Sequence, residues 1–178
     1  TALESIDKIR DTANSHDRVF FVEVMGRHSG YIAIQSGIGG GAELIMVPET
    51  STTIEDVIAK LKSGRDRQKT SSIIVVAEGD EQGNAHQIAE KVKVHLPEMD
   101  IRVSTLGHIQ RGGEPTARDR ILSSRLGLAA VEGLLNGHKN VMVGIVDNKI
   151  EFTNLKVAIT KSKPIQEELL RLTEILSM

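Results

Sequence analysis

Short apolar runs alternate with amphipathic stretches along the chain. Ala2, Ile6, Ile9 and Ala13 form a stripe at helical spacing, and an apolar run at residues 19–24 follows it. Further candidate strands lie at residues 44–47, 72–77, 101–104 and 141–146. Strands that alternate with helices of roughly ten residues are typical of a parallel sheet covered by helices on both faces. The pattern therefore predicts an α/β fold with a mostly parallel sheet.

Several residues predict where helices begin and end and which of their side chains face the core. Thr53 with Asp56 predicts the start of a helix that ends near Gly64. Pro115 suits the first turn of a long helix, and Gly137 suits its end. The rows expected to face the core are Leu122, Leu126, Ala130 and Leu134 in the long helix, and Ile165, Leu169, Leu172 and Leu176 in the last helix.

Composition narrows the function classes. The 178 residues include no Cys and no Trp, which excludes disulfides, thiol catalysis and cysteine-based zinc sites. A net charge of -2 and only 3 Phe argue against nucleic acid as a partner. No apolar run has the length needed to cross a bilayer, so a cytoplasmic protein without a membrane partner is expected.

The glycine-rich segment at residues 37–42 matches the dinucleotide pattern G-x-G-x-x-A. That motif must follow a strand and open a helix, whereas here it follows a predicted helix and precedes a strand. We therefore predict that these glycines end a helix and turn into the strand at residues 44–47.

Two strand-to-helix loops have the composition of anion sites. Ligands of parallel sheets bind beyond the carboxyl ends of the strands, where Arg27 and the loop containing His108 and Arg111 are expected. Arginine offers a rigid fork for phosphate oxygens, and the flanking glycines let backbone approach a ligand. From chemistry alone, an exposed arginine in a helix-entry loop explains the loop of His108 and Arg111 equally well, and Met25 before a glycine is more often a packing residue than a recognition residue.

Four motifs occurring in order extend this interpretation. They are SHDR at residues 15–18, VEVMGR at 22–27, AEG at 77–79 and LGHIQRGG at 106–113. Together they resemble the carboxyl-terminal half of bacterial-type ATP-dependent 6-phosphofructokinase, and the resemblance covers essentially the whole chain. It implies one substrate-binding domain over residues 1–178, with the amino-terminal nucleotide-binding half absent.

The resemblance implies a glycolytic kinase that transfers the terminal phosphoryl group of ATP, with Mg²⁺, to the 1-hydroxyl of fructose 6-phosphate. Met25, Gly26 and Arg27 would line the sugar and the transferring phosphoryl group, with Arg27 as the catalytic residue, and Glu78 would bind sugar hydroxyls. Mg²⁺ and ATP would bind through the other half, so the chain alone is expected to be inactive.

The family's 6-phosphate pocket implies a homo-oligomer, a tetramer in the full enzyme. His108 and Arg111 would come from one subunit, and Arg18 and Arg102 from its neighbour. Arg27, His108 and Arg111 should accordingly lie close together, with Glu78 on the same edge of the sheet.

An effector site for ADP or phosphoenolpyruvate is also implied by the resemblance. Its residues in this sequence would be Arg10, Glu43, Arg67 and Lys69. The remaining histidines, among them His16, lack metal-binding spacing, so no metal ligand is assigned.

Three alternatives stay open from the sequence. The first is a pyrophosphate-dependent phosphofructokinase, because the residues that select the donor lie outside this sequence. The others are a non-catalytic sugar-phosphate-binding module and an inactive regulatory subunit, although the intact arginine set and Glu78 argue against the latter.

Overall fold

Strands and helices alternate along most of the chain, as the hydrophobic pattern predicts. The computed structural model describes residues 1–13, 18–67, 69, 71–161, 165 and 167–176. The strands are β1 (Arg18–Val24), β2 (Leu44–Met46), β3 (Ser72–Ala77), β4 (Asp100–Thr105), β5 (Val141–Val146) and β6 (Lys149–Asn154). The helices are α1 (Ala2–Ala13), α2 (Tyr31–Gly39), α3 (Ile54–Asp66), α4 (Ala85–His95), α5 (Ala117–Leu135), α6 (Leu155–Thr160) and α7 (Glu167–Leu176), with a 3₁₀ helix at Gly107–Arg111.

The chain divides into two compact units. Unit 1 comprises Thr1–Gly113 and Ile165–Met178, and unit 2 comprises Glu114–Pro164. Of the motif at residues 15–18, only Arg18 lies within the described residues, and His16 lies outside them.

Unit 1 is built on a parallel sheet with the strand order β2-β3-β1-β4. Alternate residues of the central strand β1 point to opposite faces, so Val22 packs in one core cluster and Phe21 in the other, both fully buried. Helices α1 and α2 cover the first face, and α3 and α4 cover the second. The predicted parallel α/β sheet with helices on both faces is therefore confirmed.

In unit 1, α3 begins and α2 ends where the sequence predicts. The Thr53 hydroxyl accepts a hydrogen bond from the backbone N–H of Asp56, whose carboxylate accepts one from the N–H of Thr53. Gly39 ends α2 and the chain turns into β2, as predicted for the glycine-rich segment. In α7, Leu169 packs against the core, but Leu172 is 37% and Leu176 is 61% exposed, so the predicted apolar stripe is buried only at its start.

Unit 2 consists of α5, the antiparallel β5-β6 hairpin and α6. Strand β5 was predicted, but its partner β6 was not. Arg125 of α5 holds the hairpin turn, because its guanidinium donates to the side-chain and backbone oxygens of Asn148, both at 2.9 Å. Gly137 has φ +82 and follows the end of α5, in agreement with the prediction.

Two expectations for α5 are wrong. Pro115 precedes the helix rather than entering its first turn, because Thr116 caps the helix and Ala117 begins it. The buried positions of α5 are Ala129 and Gly133, whereas Leu134 is 71% exposed. Small residues face the hairpin here because the ring of Phe152 lies directly against Gly133.

No helix among the described residues combines the length and the apolar character that crossing a membrane requires.

Candidate functional site

Three loops meet at the carboxyl edge of the parallel sheet, the edge at which all of its strands end. Strand β1 lies between β3 and β4, so the loops that follow these three strands are neighbours. Backbone hydrogen bonds extend this contact beyond the strands, from the N–H of Glu78 to the Val24 carbonyl at 2.9 Å and from Leu106 to Glu23 at 3.0 Å. The topology thus places residues distant in sequence side by side.

Glu78 joins the loop after β3 to the loop after β1. Its Oε1 accepts hydrogen bonds from the backbone N–H groups of Arg27 at 2.8 Å and Gly26 at 3.2 Å. These two N–H groups, with the nearby charges of Arg111 and Arg27, hold the pKa of Glu78 below its usual value, although partial burial acts to raise it. Glu78 is therefore an ionised acceptor, and its Oε2 accepts no hydrogen bond from the described residues.

The backbone around Arg27 is tightly fixed. Arg27 has φ +52, a left-handed conformation that is uncommon for a residue with a side chain. A Cβ on Gly79 would overlap the carbonyl oxygen of Arg27, and a Cβ on Gly26 would overlap the carbonyl oxygen of Ser29. Both positions therefore require glycine, and together they hold the loop in one conformation.

Gln110 positions the third loop and was not predicted. Its Oε1 accepts a hydrogen bond from the backbone N–H of Met25 at 3.3 Å, while its Nε2 donates to the Gly107 carbonyl at 3.2 Å. Gln110 thereby ties the 3₁₀ helix that carries His108 and Arg111 to the end of β1. Its place in the LGHIQRGG segment was the only available signal, and nothing in its residue type distinguished it from an exposed glutamine.

The side chains of two arginines and one histidine at the carboxyl edge remain available to a ligand. Arg27, His108 and Arg111 are exposed, and their side chains make no hydrogen bond or ion pair with any described residue. Arg27 and Arg111 both lie near enough to Glu78 for their charges to lower its pKa. The structure thus brings Met25, Gly26, Arg27, Glu78 and Arg111 together, with His108 on the same short helix as Arg111. This combination of free cations and an ionised acceptor suits a hydroxylated anion.

Arg18 and Arg102 lie at the opposite, amino edge of the sheet. They flank Asp100, with Arg18 Nε 3.0 Å from Asp100 Oδ2 and Arg102 Nε 2.9 Å from Asp100 Oδ1. Strand β1 separates Arg18 from Val24 by about 20 Å at the usual rise per residue. Arg18 therefore cannot share a phosphate with Arg111 of the same chain, whereas Arg102, opposite Phe20, lies about 10 Å before the end of β4.

The proposed effector residues also lie towards the amino edge. Lys69 Nζ lies 2.9 Å from both carboxylate oxygens of Glu43, which directly precedes β2. The Arg10 guanidinium packs against Gly41, where a Cβ would lie 2.8 Å from it. Arg67 caps the end of α3, and its backbone N–H donates to the Gly64 carbonyl at 3.2 Å. Arg10, Glu43 and Lys69 thus lie close to β2 and β3 at this edge.

In the described ranges, no group of three or more His, Asp or Glu side chains is placed to hold a metal ion. Glu78, the carboxylate beside Arg27, is already engaged by two backbone N–H groups.

Comparison with known proteins adds independent findings. A family model described as Phosphofructokinase matches residues 1–134. The chain is 56% identical over 177 residues to an ATP-dependent 6-phosphofructokinase of Cytophaga hutchinsonii, and 53% identical over 178 residues to ATP-dependent 6-phosphofructokinase 1 of Thermus thermophilus. These alignments cover 99% and 100% of this chain but 54% and 55% of the relatives. The chain therefore spans about half the length of the curated relatives it matches.

Solved structures agree with these matches. Phosphofructokinase from Saccharomyces cerevisiae superposes with a TM-score of 0.80 at 33% identity, covering 99% of this chain and 25% of the yeast chain. A pyrophosphate-dependent phosphofructokinase from Marinobacter aquaeolei superposes with a TM-score of 0.76 at 25% identity, covering 98% of this chain and 52% of its own.

Proposed function

Because the chain belongs to the phosphofructokinase family, we propose that it forms the fructose 6-phosphate-binding part of an ATP-dependent 6-phosphofructokinase. The complete enzyme would transfer the terminal phosphoryl group of ATP to the 1-hydroxyl of fructose 6-phosphate. The observation that carries the proposal is the carboxyl edge, where ionised Glu78 lies beside the free guanidinium groups of Arg27 and Arg111.

The proposed roles follow from charge and position. Glu78 Oε2 would accept hydrogen bonds from sugar hydroxyls, because Oε1 is occupied by the backbone of Gly26 and Arg27. Arg27, the proposed catalytic residue, would stabilise the negative charge on the phosphoryl oxygens during transfer. Met25 and Gly26 would line the sugar from the end of β1, where the bond from Met25 to Gln110 fixes the backbone.

The 6-phosphate would bind His108 and Arg111 of one chain and Arg18 and Arg102 of a second. The position of Arg18 at the amino edge supports a shared site of this kind, since one phosphate cannot contact both Arg18 and Arg111 of one chain. A homotetramer in the full enzyme is part of this proposal.

The donor assignment rests on the similarity to curated relatives. Relatives named ATP-dependent 6-phosphofructokinase are 46–56% identical to this chain, whereas the pyrophosphate-dependent structure is 25% identical. We therefore favour ATP over pyrophosphate. The donor's Mg²⁺ is assigned to no residue of this chain, because the part of the chain that the structure describes holds no group of three or more His, Asp or Glu side chains placed for a metal ion.

Further parts of the proposal concern regulation and location. A site for ADP or phosphoenolpyruvate would include Arg10, Glu43, Arg67 and Lys69. Two of these residues, Glu43 and Lys69, already form an ion pair at 2.9 Å. The enzyme would act in glycolysis in the cytoplasm.

Ligand titration tests the proposed substrate site. Fructose 6-phosphate should bind this chain while neutral fructose binds at least about tenfold more weakly, because charge-assisted hydrogen bonds to phosphate dominate. Arg111→Ala should weaken fructose 6-phosphate binding, and Arg171→Ala on α7 serves as the matched control. Equal binding of fructose and its 6-phosphate, or no effect of Arg111→Ala, contradicts the proposed site.

A further inference from the structure

Asp100 is the common partner of the two arginines at the amino edge. Asp100 and Arg18 are paired residues of neighbouring strands, and Arg102 lies two positions along β4, so all three side chains share one face. Asp100 Oδ2 accepts hydrogen bonds from Arg18 Nε at 3.0 Å and from Arg102 Nη2 at 3.3 Å, and Oδ1 forms an ion pair with Arg102 Nε at 2.9 Å. Each carboxylate oxygen of Asp100 is therefore used.

This arrangement leaves most of the donors of both guanidinium groups free. Arginine carries several N–H donors in a rigid fork, and Asp100 takes chiefly the Nε edge of each. Among contacts with described residues, both Nη groups of Arg18 and the Nη1 group of Arg102 are unpaired, and these ends suit a phosphate. The triad also keeps a net positive charge when Asp100 is ionised, so it can still attract an anion.

We propose that Asp100 is a positioning residue that holds Arg18 and Arg102 as a preformed pair for one phosphate group. The proposal rests on the proposed function, because it takes these two arginines to be phosphate ligands. Asp100 touches neither the sugar nor the phosphate and acts only through the arginines.

The carboxylate has two opposing effects on an incoming phosphate. It repels the anion, but Asp100 is 42% and Arg102 is 56% exposed at the side chain, so water and salt weaken this repulsion. It also removes the conformational freedom of two long side chains, a cost that ligand binding would otherwise bear. Ordering outweighs repulsion at such an exposed cluster, so loss of Asp100 should weaken phosphate binding.

The test compares Asp100→Ala, Asp100→Asn and Asp100→Glu with the unaltered chain. Binding of inorganic phosphate and fructose 6-phosphate is measured by NMR titration, with the Nε–H signals of Arg18 and Arg102 as reporters. Glu98→Gln is the matched control, because Glu98 also pairs with an arginine, Arg65 at 2.8 Å, outside the triad. Urea unfolding of each variant identifies any that fail to fold. If Asp100→Ala does not fold, Asp100→Asn and Asp100→Glu are compared with the unaltered chain instead.

We expect Asp100→Ala and Asp100→Asn to weaken phosphate binding about three- to tenfold, Asp100→Glu to restore part of the loss, and Glu98→Gln to change nothing. If Asp100→Ala binds phosphate unchanged or more tightly while Arg18→Ala still loses binding, the proposed role of Asp100 is wrong and the phosphate pocket stands. Binding that is insensitive to both Arg18→Ala and Arg102→Ala contradicts the proposed phosphate pocket itself.

Discussion

Units 1 and 2 differ in how far their apolar side chains are buried. In unit 1, Phe21, Ile74 and Val75 of the sheet are completely buried between two helical layers. In unit 2, Leu135 is 82% and Ile159 is 80% exposed. Helix α5 and strand β5 of unit 2 were predicted like the elements of unit 1, so the local pattern encodes these elements whether or not their apolar faces are covered.

The outer surface of α5 shows the contrast most clearly. Ile121, Leu128 and Leu135 recur every seven residues and are 62%, 62% and 82% exposed, away from the buried positions Ala129 and Gly133. A helix with apolar residues on more than one side is typical of a helix covered on more than one side. Unit 2 thus presents a second apolar row that its own residues do not cover, a feature common to interaction surfaces.

The largest expected effect compares truncation of a buried and an exposed side chain. Phe21→Ala should lower the free energy of unfolding by about 3–5 kcal/mol, because it leaves a cavity in a closed core. Leu135→Ala should change it by less than about 0.5 kcal/mol. Urea unfolding followed by circular dichroism measures both, and equal losses would break the comparison between the units.

Two glycines of α5 sharpen the comparison within unit 2. A Cβ on Gly133 would lie 2.5 Å from the Phe152 ring, whereas a Cβ on Gly127 would meet nothing within 4 Å. Gly133→Ala should therefore lower the free energy of unfolding by about 1–3 kcal/mol. Gly127→Ala should raise it by up to about 1 kcal/mol through helix propensity.

The same denaturant titration serves both glycine variants. If Gly133→Ala stabilises the protein as Gly127→Ala does, the hairpin does not pack on α5 through Phe152, and unit 2 lacks even the small core described here.

The smallest expected effect concerns how the stability contributed by Glu78, at the carboxyl edge of the sheet in unit 1, depends on pH. The pKa of Glu78 is lowered in the folded chain. The ionised carboxylate therefore contributes fully to the free energy of unfolding at pH values above the usual glutamate pKa of about 4.3. The contribution is lost as the pH falls through the lowered folded pKa. Glu78→Gln should therefore cost less than about 1 kcal/mol near pH 7, and this cost should shrink towards about pH 3.

Unfolding measured at both pH values checks this, with Glu90→Gln as control because Glu90 is exposed on α4 and makes no hydrogen bond with the described residues. A cost that grows on acidification would mean that the backbone N–H groups of Gly26 and Arg27 do not stabilise ionised Glu78.

The elements of unit 1 could be predicted because their signals are local. The apolar run of β3 from Ile73 to Ala77, the cap at Thr53 and the glycines that end α2 each act over a few residues. Strand β6 carries the alternation of Lys149 and Glu151 with Ile150 and Phe152 that indicates a half-buried strand. It was missed because the predicted strands are the continuously apolar runs.

The candidate site could be predicted only as far as the edge of the sheet at which its loops lie. The expectation that the loops after β1, β3 and β4 meet follows from parallel-sheet topology. The roles of Gln110 and Asp100 depend on side chains that meet across strands, 85 residues apart for Gln110 and Met25 and 82 for Asp100 and Arg18. Nothing in the local sequence of either partner signals such a contact.

The separation of Arg18 and Arg102 from Arg111 has a consequence for how such an enzyme would respond to dilution. If one phosphate contacts both sets, its ligands belong to different molecules, and substrate binding is linked by mass action to their association. Substrate would then hold the assembly together, and the apparent affinity would fall as the protein is diluted below the concentration at which the molecules separate.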